Sequence, residues 1–216
     1  MAIPVRNTGG DFEVAPAGVY VARCYQMVDI GTQQQSYQGQ APKPTPKVII
    51  WWELLTDDDG KDIRMADGRP FSISKEYTNS LHKKATLRKD LDSWRGTPFK
   101  EEEAKDFDLA KLLGKHCKLQ IVHKESSDGE RTYANLQSIM TTTKTPEGVN
   151  SIVEYSVLDH KPEVFDALPE WVQKKINEST ERGGGTTVKE GNIDDSGQVE
   201  IEDLDEEPVD VSSVPF

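Results

Sequence analysis

The sequence predicts a mainly β fold of five strands with one helix inserted after the third, and three observations carry that prediction. Five stretches alternate apolar with polar residues or run apolar on both parities. Two Asp/Gly turns, Asp57-Asp58-Asp59-Gly60 and Ser126-Ser127-Asp128-Gly129, stand where neighbouring stretches must reverse. One run of helical spacing, Leu81 to Trp94, falls between the third and fourth stretches.

The first strand spans Gly18 to Ile30, with Tyr20, Ala22, Cys24, Val28 and Ile30 on one face and Val19, Val21, Arg23, Tyr25 and Met27 on the other. Gly31 to Pro46 is rich in Gln, Ser, Gly and Pro and is expected to be a long mobile loop. The second strand, Lys47 to Thr56, sets Val48, Ile50, Trp52 and Leu54 against Ile49, Trp51, Glu53 and Leu55. A third runs from Ile63 to Tyr77, interrupted near Asp67-Gly68-Arg69-Pro70. In the helix Leu81, Ala85, Leu87, Leu91 and Trp94 recur at helical spacing, and Gly96 with Pro98 marks its end. Asp108 caps a short helix to Leu113, ended by Gly114. His116 to His123 and Thr132 to Met140 complete the strands, with Cys117, Leu119, Ile121, Ala134 and Leu136 inward.

Three strands, a helix and two strands is the order of the OB-fold, a five-stranded Greek-key barrel that binds single strands across strands two and three and the adjoining loops. Residues 1–140 are therefore read as an OB-fold single-strand-binding domain. Residues 141–182 form a helical appendage: Pro162 to Ser179 carries Val164, Phe165, Leu168, Trp171, Val172 and Ile176 and breaks at Pro169. Its apolar face must bury against the barrel or against a second copy of the chain in a homodimer. Residues 183–216, opened by Gly183-Gly184-Gly185, read as a disordered acidic tail.

Charge supports that division. The tail holds ten acidic residues against one lysine, whereas residues 1–140 hold twenty of each sign. The formal net charge of −12 is thus no argument against an anionic ligand on the body. Cys24 and Cys117 both fall on apolar strand parities and read as buried free thiols of a reducing compartment. No apolar run approaches the ~18 residues of a membrane span, and Met1-Ala2-Ile3-Pro4-Val5-Arg6 lacks an apolar signal core. The expectation is a soluble cytoplasmic protein, in the host cytoplasm if phage-encoded.

A single-strand site needs aromatic faces and cations along the backbone track. The outward parity offers Trp51 first, since Trp52 takes the core position; the other outcome for Trp51 is burial beneath the appendage. Arg23 and Tyr25 on the first strand, Lys75 and Phe71 on the third, with Phe71 leaning to core, and Tyr133 on the fifth extend the set. Lys43 and Lys47 flank the expected loop, and Lys61, Arg64 and Arg69 surround the hairpin after the second strand. Lys83, Lys84, Arg88 and Lys89 make a basic patch on the helix. There is no Gly-rich nucleotide loop and no Gly-x-Ser-x-Gly, and His82, His116, His123 and His160 are not spaced as metal ligands. No catalytic residue, metal or cofactor is expected.

The tail reads Asp205-Glu206-Glu207-Pro208-Val209-Asp210-Val211-Ser212-Ser213-Val214-Pro215-Phe216. It resembles the tail tip of bacterial and bacteriophage single-stranded DNA-binding proteins, where an acidic run closes on Ile-Pro-Phe or Phe, although here Ser212, Ser213 and Val214 intervene. The resemblance implies that Asp205, Glu206, Glu207, Asp210, Pro215 and Phe216 recruit replication or recombination proteins. Asp90-Leu91-Asp92-Ser93-Trp94-Arg95-Gly96-Thr97-Pro98-Phe99, Phe107 to Lys115 running into Cys117-Lys118-Leu119-Gln120-Ile121, and Leu168-Pro169-Glu170-Trp171-Val172-Gln173-Lys174-Lys175-Ile176 resemble a group of bacteriophage-encoded single-strand binders. That resemblance implies sequence-independent single-stranded DNA binding in phage replication or recombination. The neutral body keeps an alternative open, a protein-interaction adaptor without nucleic acid; an RNA or recombination-intermediate binder is a third.

Overall fold

The computed structural model describes residues 13–35, 41–126, 129 and 132–183. Its spine is β1 (Gly18–Gln35), which pairs antiparallel with β2 (Lys43–Asp57) along nearly its whole length. On its other edge, the first third of β1 takes β4 (His116–Glu125) antiparallel, from Gly18↔Ile121 to Arg23↔His116. Further along, Gln26 to Asp29 take β6 (Val153–Ser156) in parallel. With β3 (Ser72–Thr78) on β2 and β5 (Thr132–Met140) on β4, the order is β3-β2-β1-β4-β5, with β6 beside β1. The molecule is mainly β, as expected. It has six strands rather than five, and the ladder is not closed between β3 and β5. β6 escaped the sequence reading because four residues of Val-Glu-Tyr-Ser carry no periodic signal.

β1 serves both groups of partners because it is bent. Its register with β2 shifts between Val21 and Ala22, between Cys24 and Gln26, and between Asp29 and Gly31; each extra residue kinks the strand and increases its twist. At the last of these, Gly31 has φ 72, and a β-carbon there would stand 2.5 Å from the Glu181 carboxylate. The expected long loop from Gly31 to Pro46 is largely strand. β1 continues to Gln35 and β2 begins at Lys43, with Thr32 opposite Pro46 and Gln34 opposite Pro44. The prolines are tolerated because the Pro46 carbonyl accepts from Asn79 N–H at 2.8 Å. That side of Pro46 faces away from β1, so the missing N–H removes nothing from the β1–β2 ladder; Pro44 shares its parity.

Between β3 and β4 lie α1 (Thr86–Arg95), α2 (Glu101–Lys105) and a 3-10 turn (Leu109–Leu112). The expected stop holds: Gly96 closes α1 at φ 71, and Asp108 caps the turn by accepting from Ala110 N–H. The start is later than Leu81, and α2 had no apolar spacing to announce it. β3 is shorter than expected because Met65 to Arg69 close a turn through Gly68 at φ 85. After β6 come α3 (Pro162–Ala167) and α4 (Glu170–Asn177), divided at Pro169 as read from the sequence.

Two cores result. On one face of the sheet Ala22, Cys24, Ile50, Trp52, Leu54, Leu119 and Ile121 pack with Leu87, Leu91 and Trp94 of α1. On the other face Val28, Ile30, Ile49 and Trp51 pack with Leu168, Val172 and Ile176; Val28 and Ile30, expected on the face of Ala22 and Cys24, are turned to this one by the register shift between Cys24 and Gln26. β2 is therefore buried on both sides from Val48 to Leu55, which accounts for its unbroken apolar run. Among the described residues no helix is long and apolar enough to cross a membrane.

Both cysteines are free and inaccessible. Burial pushes the Cys24 thiol up to about 12, and burial also drives Cys117 well above the ordinary range. The folded thiols should resist Ellman's reagent at pH 8 and both react after denaturation; prompt reaction of the native protein would contradict this packing. The raised values also set a sign. Above pH ~9 the unfolded chain ionises thiols that the folded chain keeps protonated, so stability should fall as pH rises from there toward 12.

Candidate nucleic-acid interface

The face of β1, β2 and β3 opposite α1 carries five of the expected binding residues, Arg23, Tyr25, Lys43, Lys47 and Trp51, and it is organised by a buried carboxylate. Glu53 is fully buried. Its oxygens accept from Arg23 Nε at 2.7 Å, Arg23 Nη2 at 2.6 Å, Asn150 N–H at 2.8 Å and Val149 N–H at 3.2 Å. The Arg23 guanidinium also donates to the Asn150 carbonyl. Gly148 lies flat on that guanidinium: a β-carbon there would sit 1.8 Å from Arg23 Cζ. His116 Nε2 lies 2.9 Å from the Pro146 carbonyl. Residues 146–150 are thus strapped across the sheet, and Arg23 is an internal tie rather than a free cation.

Beyond the strap, α4 lies over the same face. Lys175 pairs with Glu76 of β3 at 2.5 Å, and Gln33 of β1 donates to the Lys175 carbonyl at 3.0 Å. Trp51 is 7% exposed, its ring centroid 6.1 Å from that of Trp171. The expectation that Trp51 offers an open face for stacking is corrected by this placement. The appendage needed an apolar surface, and Trp51 with Ile49, Val28 and Ile30 supplies it.

What remains open is a strip along β3. Ser72, Ser74, Glu76 and Thr78 alternate outward and are exposed. Tyr25, half-buried, places its hydroxyl 2.8 Å from Ser72 Oγ at one end. At the other end the Lys47 ammonium donates to Thr78 Oγ1 at 3.3 Å, and Lys43 opens β2 at an exposed position. Burial lowers the Lys47 pKa, with Lys175 adding to the effect against the opposing pull of Glu76. Trp171 borders the strip from α4 and is 47% exposed. Aromatic surface, a row of hydroxyls and cations of β2 and α4 suit a chain of alternating bases and phosphates.

The other expected residues are not gathered here. Lys61 and Arg69 are exposed on the β2–β3 connection, with Arg69 paired to Asp67 at 2.6 Å. Arg64 donates to the Leu55 and Ile63 carbonyls and borders an open pocket of about 300 Å³ that Pro146 to Val149 also line. Lys75 has the opposite parity from the strip and pairs with Asp90 of α1 at 2.8 Å. Tyr133, half-exposed, stands on β5 opposite Lys124. Phe71 is core. The basic patch loses Arg88, which is buried and donates to the Leu81 and Phe99 carbonyls. Asp205, Glu206, Glu207, Asp210, Pro215 and Phe216 lie outside the described residues. Among the described residues no group of His, Cys, Asp and Glu is placed to hold a metal ion. The sequence reading missed Ser72, Ser74 and Trp171; the two serines were legible as the outward parity of β3, and Trp171 was absorbed into the apolar stripe of its helix.

Glu53→Ala would strand Arg23 and two backbone donors. A loss of about 3–5 kcal/mol in urea unfolding is expected, and Gly148→Val should cost about 1–3 kcal/mol through the same strap. Wild-type stability in both variants would contradict the strap. No protein-family model matches the sequence and no curated protein matches it, so the reading of this face rests on its own residues.

Proposed function

We propose that the protein binds single-stranded DNA, without sequence preference, in bacteriophage replication or recombination. The observation that carries this reading is the strand order β3-β2-β1-β4-β5 with helices between β3 and β4. This open ladder is compatible with an OB-fold, whose second and third strands form the nucleic-acid face. The β3 strip offers Tyr25, two serine hydroxyls and the cations Lys43, Lys47 and Lys175, the last of them paired with Glu76 of the strip. The bases lie against the aromatic surface while the ammonium groups follow the phosphates, an arrangement indifferent to sequence because every base has a π-face. The near-neutral 1–140 body does not oppose an anionic ligand at Lys43 and Lys47, and the acidic tail recruits replication or recombination proteins.

Titration with fluorescent oligo-dT beside a matched duplex, over a range of salt, tests the reading. If Lys43, Lys47 and Lys175 each meet one phosphate, log K should fall with log salt at a slope of about −2. Single-strand preference with that dependence is expected. No binding to either form would favour the adaptor function instead. Removing residues 200–216 should tighten binding at low salt, because an acidic segment competes with DNA for the same cations; unchanged affinity would sink that competition.

A further inference from the structure

Resting on that reading, we infer that Trp171, carried in by α4 from outside the OB-type strand order, is the residue on which an unpaired base stacks. Three of the four tryptophans are committed to packing: Trp51, Trp52 and Trp94 are 7%, 0% and 6% exposed. Trp171 is 47% exposed on a helix that is firmly seated by other residues, since Val172 and Ile176 are fully buried. Holding the helix down therefore does not require an indole at this position.

The direction of its flank is fixed by two contacts. Trp171 and Lys175 are four residues apart and share one side of α4. Lys175 reaches Glu76 of β3, and Trp171 reaches Trp51, which pairs with Ser74 of β3. The flank thus runs beside the exposed row Ser72, Ser74 and Glu76, with the indole level with Ser74. Trp51 abuts Trp171 at a tilt of 39° and braces it. Much of the Trp171 surface is left to solvent, beside hydroxyls able to meet the polar edge of a base or sugar. Lys175, one turn further on the side toward β3, pairs with Glu76 of the same row. A braced, half-open indole beside a row of hydroxyls fits an unpaired nucleobase, and base–aromatic stacking tolerates any sequence.

The rival role is a cover for Trp51, and Trp171→Leu separates the two, because leucine keeps an apolar cover and removes the π-face. Oligo-dT affinity of Trp171→Leu should fall about 5- to 150-fold, while Trp171→Phe retains most of it. Quenching of intrinsic fluorescence by oligo-dT should be strong in the unsubstituted protein and largely lost in Trp171→Phe, a readout that does not depend on the leucine variant's stability. Unchanged affinity in Trp171→Leu, or undiminished quenching in Trp171→Phe, overturns the inference and leaves the function standing. Failure of the unsubstituted protein to bind oligo-dT at all overturns both.

Discussion

The Glu53 carboxylate is the constraint on which the rest of this structure depends. It stands in the middle of an apolar strand, taken wholly out of water, and a buried charge left unpaired costs several kcal/mol. Arg23 across the β1–β2 ladder answers part of that demand, and the amides of Val149 and Asn150 answer the remainder. Those amides can be delivered only if the chain after β5 crosses the sheet at this level, and only a residue without a β-carbon lies flat on the guanidinium as Gly148 does. An ion pair of this kind adds little net stability over an apolar substitute. Its effect here is geometric, because it fixes where the appendage begins its path.

From that point the appendage has one available surface. β6 joins the exposed edge of β1, and α3 and α4 settle on Val28, Ile30, Ile49 and Trp51. Burying Leu168, Val172 and Ile176 contributes up to about 1.5–3 kcal/mol each, and Glu181 closes the path by accepting from Thr32 N–H and its hydroxyl at 2.8 and 2.7 Å. The open part of that sheet face is consequently narrowed to its β3 margin. Under the proposed function the appendage is a wall of the site, contributing Trp171 and Lys175 to a strip whose opposite side is β3 itself.

Much of the fold was legible because it rests on local signals. Alternation located β4 and β5, the Pro169 break divided α3 from α4, and Gly96 and Asp108 marked a helix end and a cap. The misreadings share a cause in tertiary context. Pro44 and Pro46 argue for a loop until Asn79 shows which way their edge faces, and four residues of β6 become a strand only because β1 has an edge to offer. The site was less legible. Arg23, Trp51 and Lys75 have the residue types of a binding surface, yet a carboxylate from a neighbouring strand, an appended helix and Asp90 of α1 claim them. A pattern of alternation says which side a residue faces only until a bulge shifts it, as happens between Cys24 and Val28, and it is silent on what covers that side.

Hydrogen exchange with and without oligo-dT tests the central claim most directly, because the amides of Val149 and Asn150 report the strap and those of β3 and α4 report the strip. The account predicts added protection over Ser72 to Thr78 and Glu170 to Lys175, with the Val149 and Asn150 amides as slow as before. Faster exchange at Val149 and Asn150 on adding the strand would contradict it, for the appendage would then be a cover that DNA displaces rather than a wall that it meets.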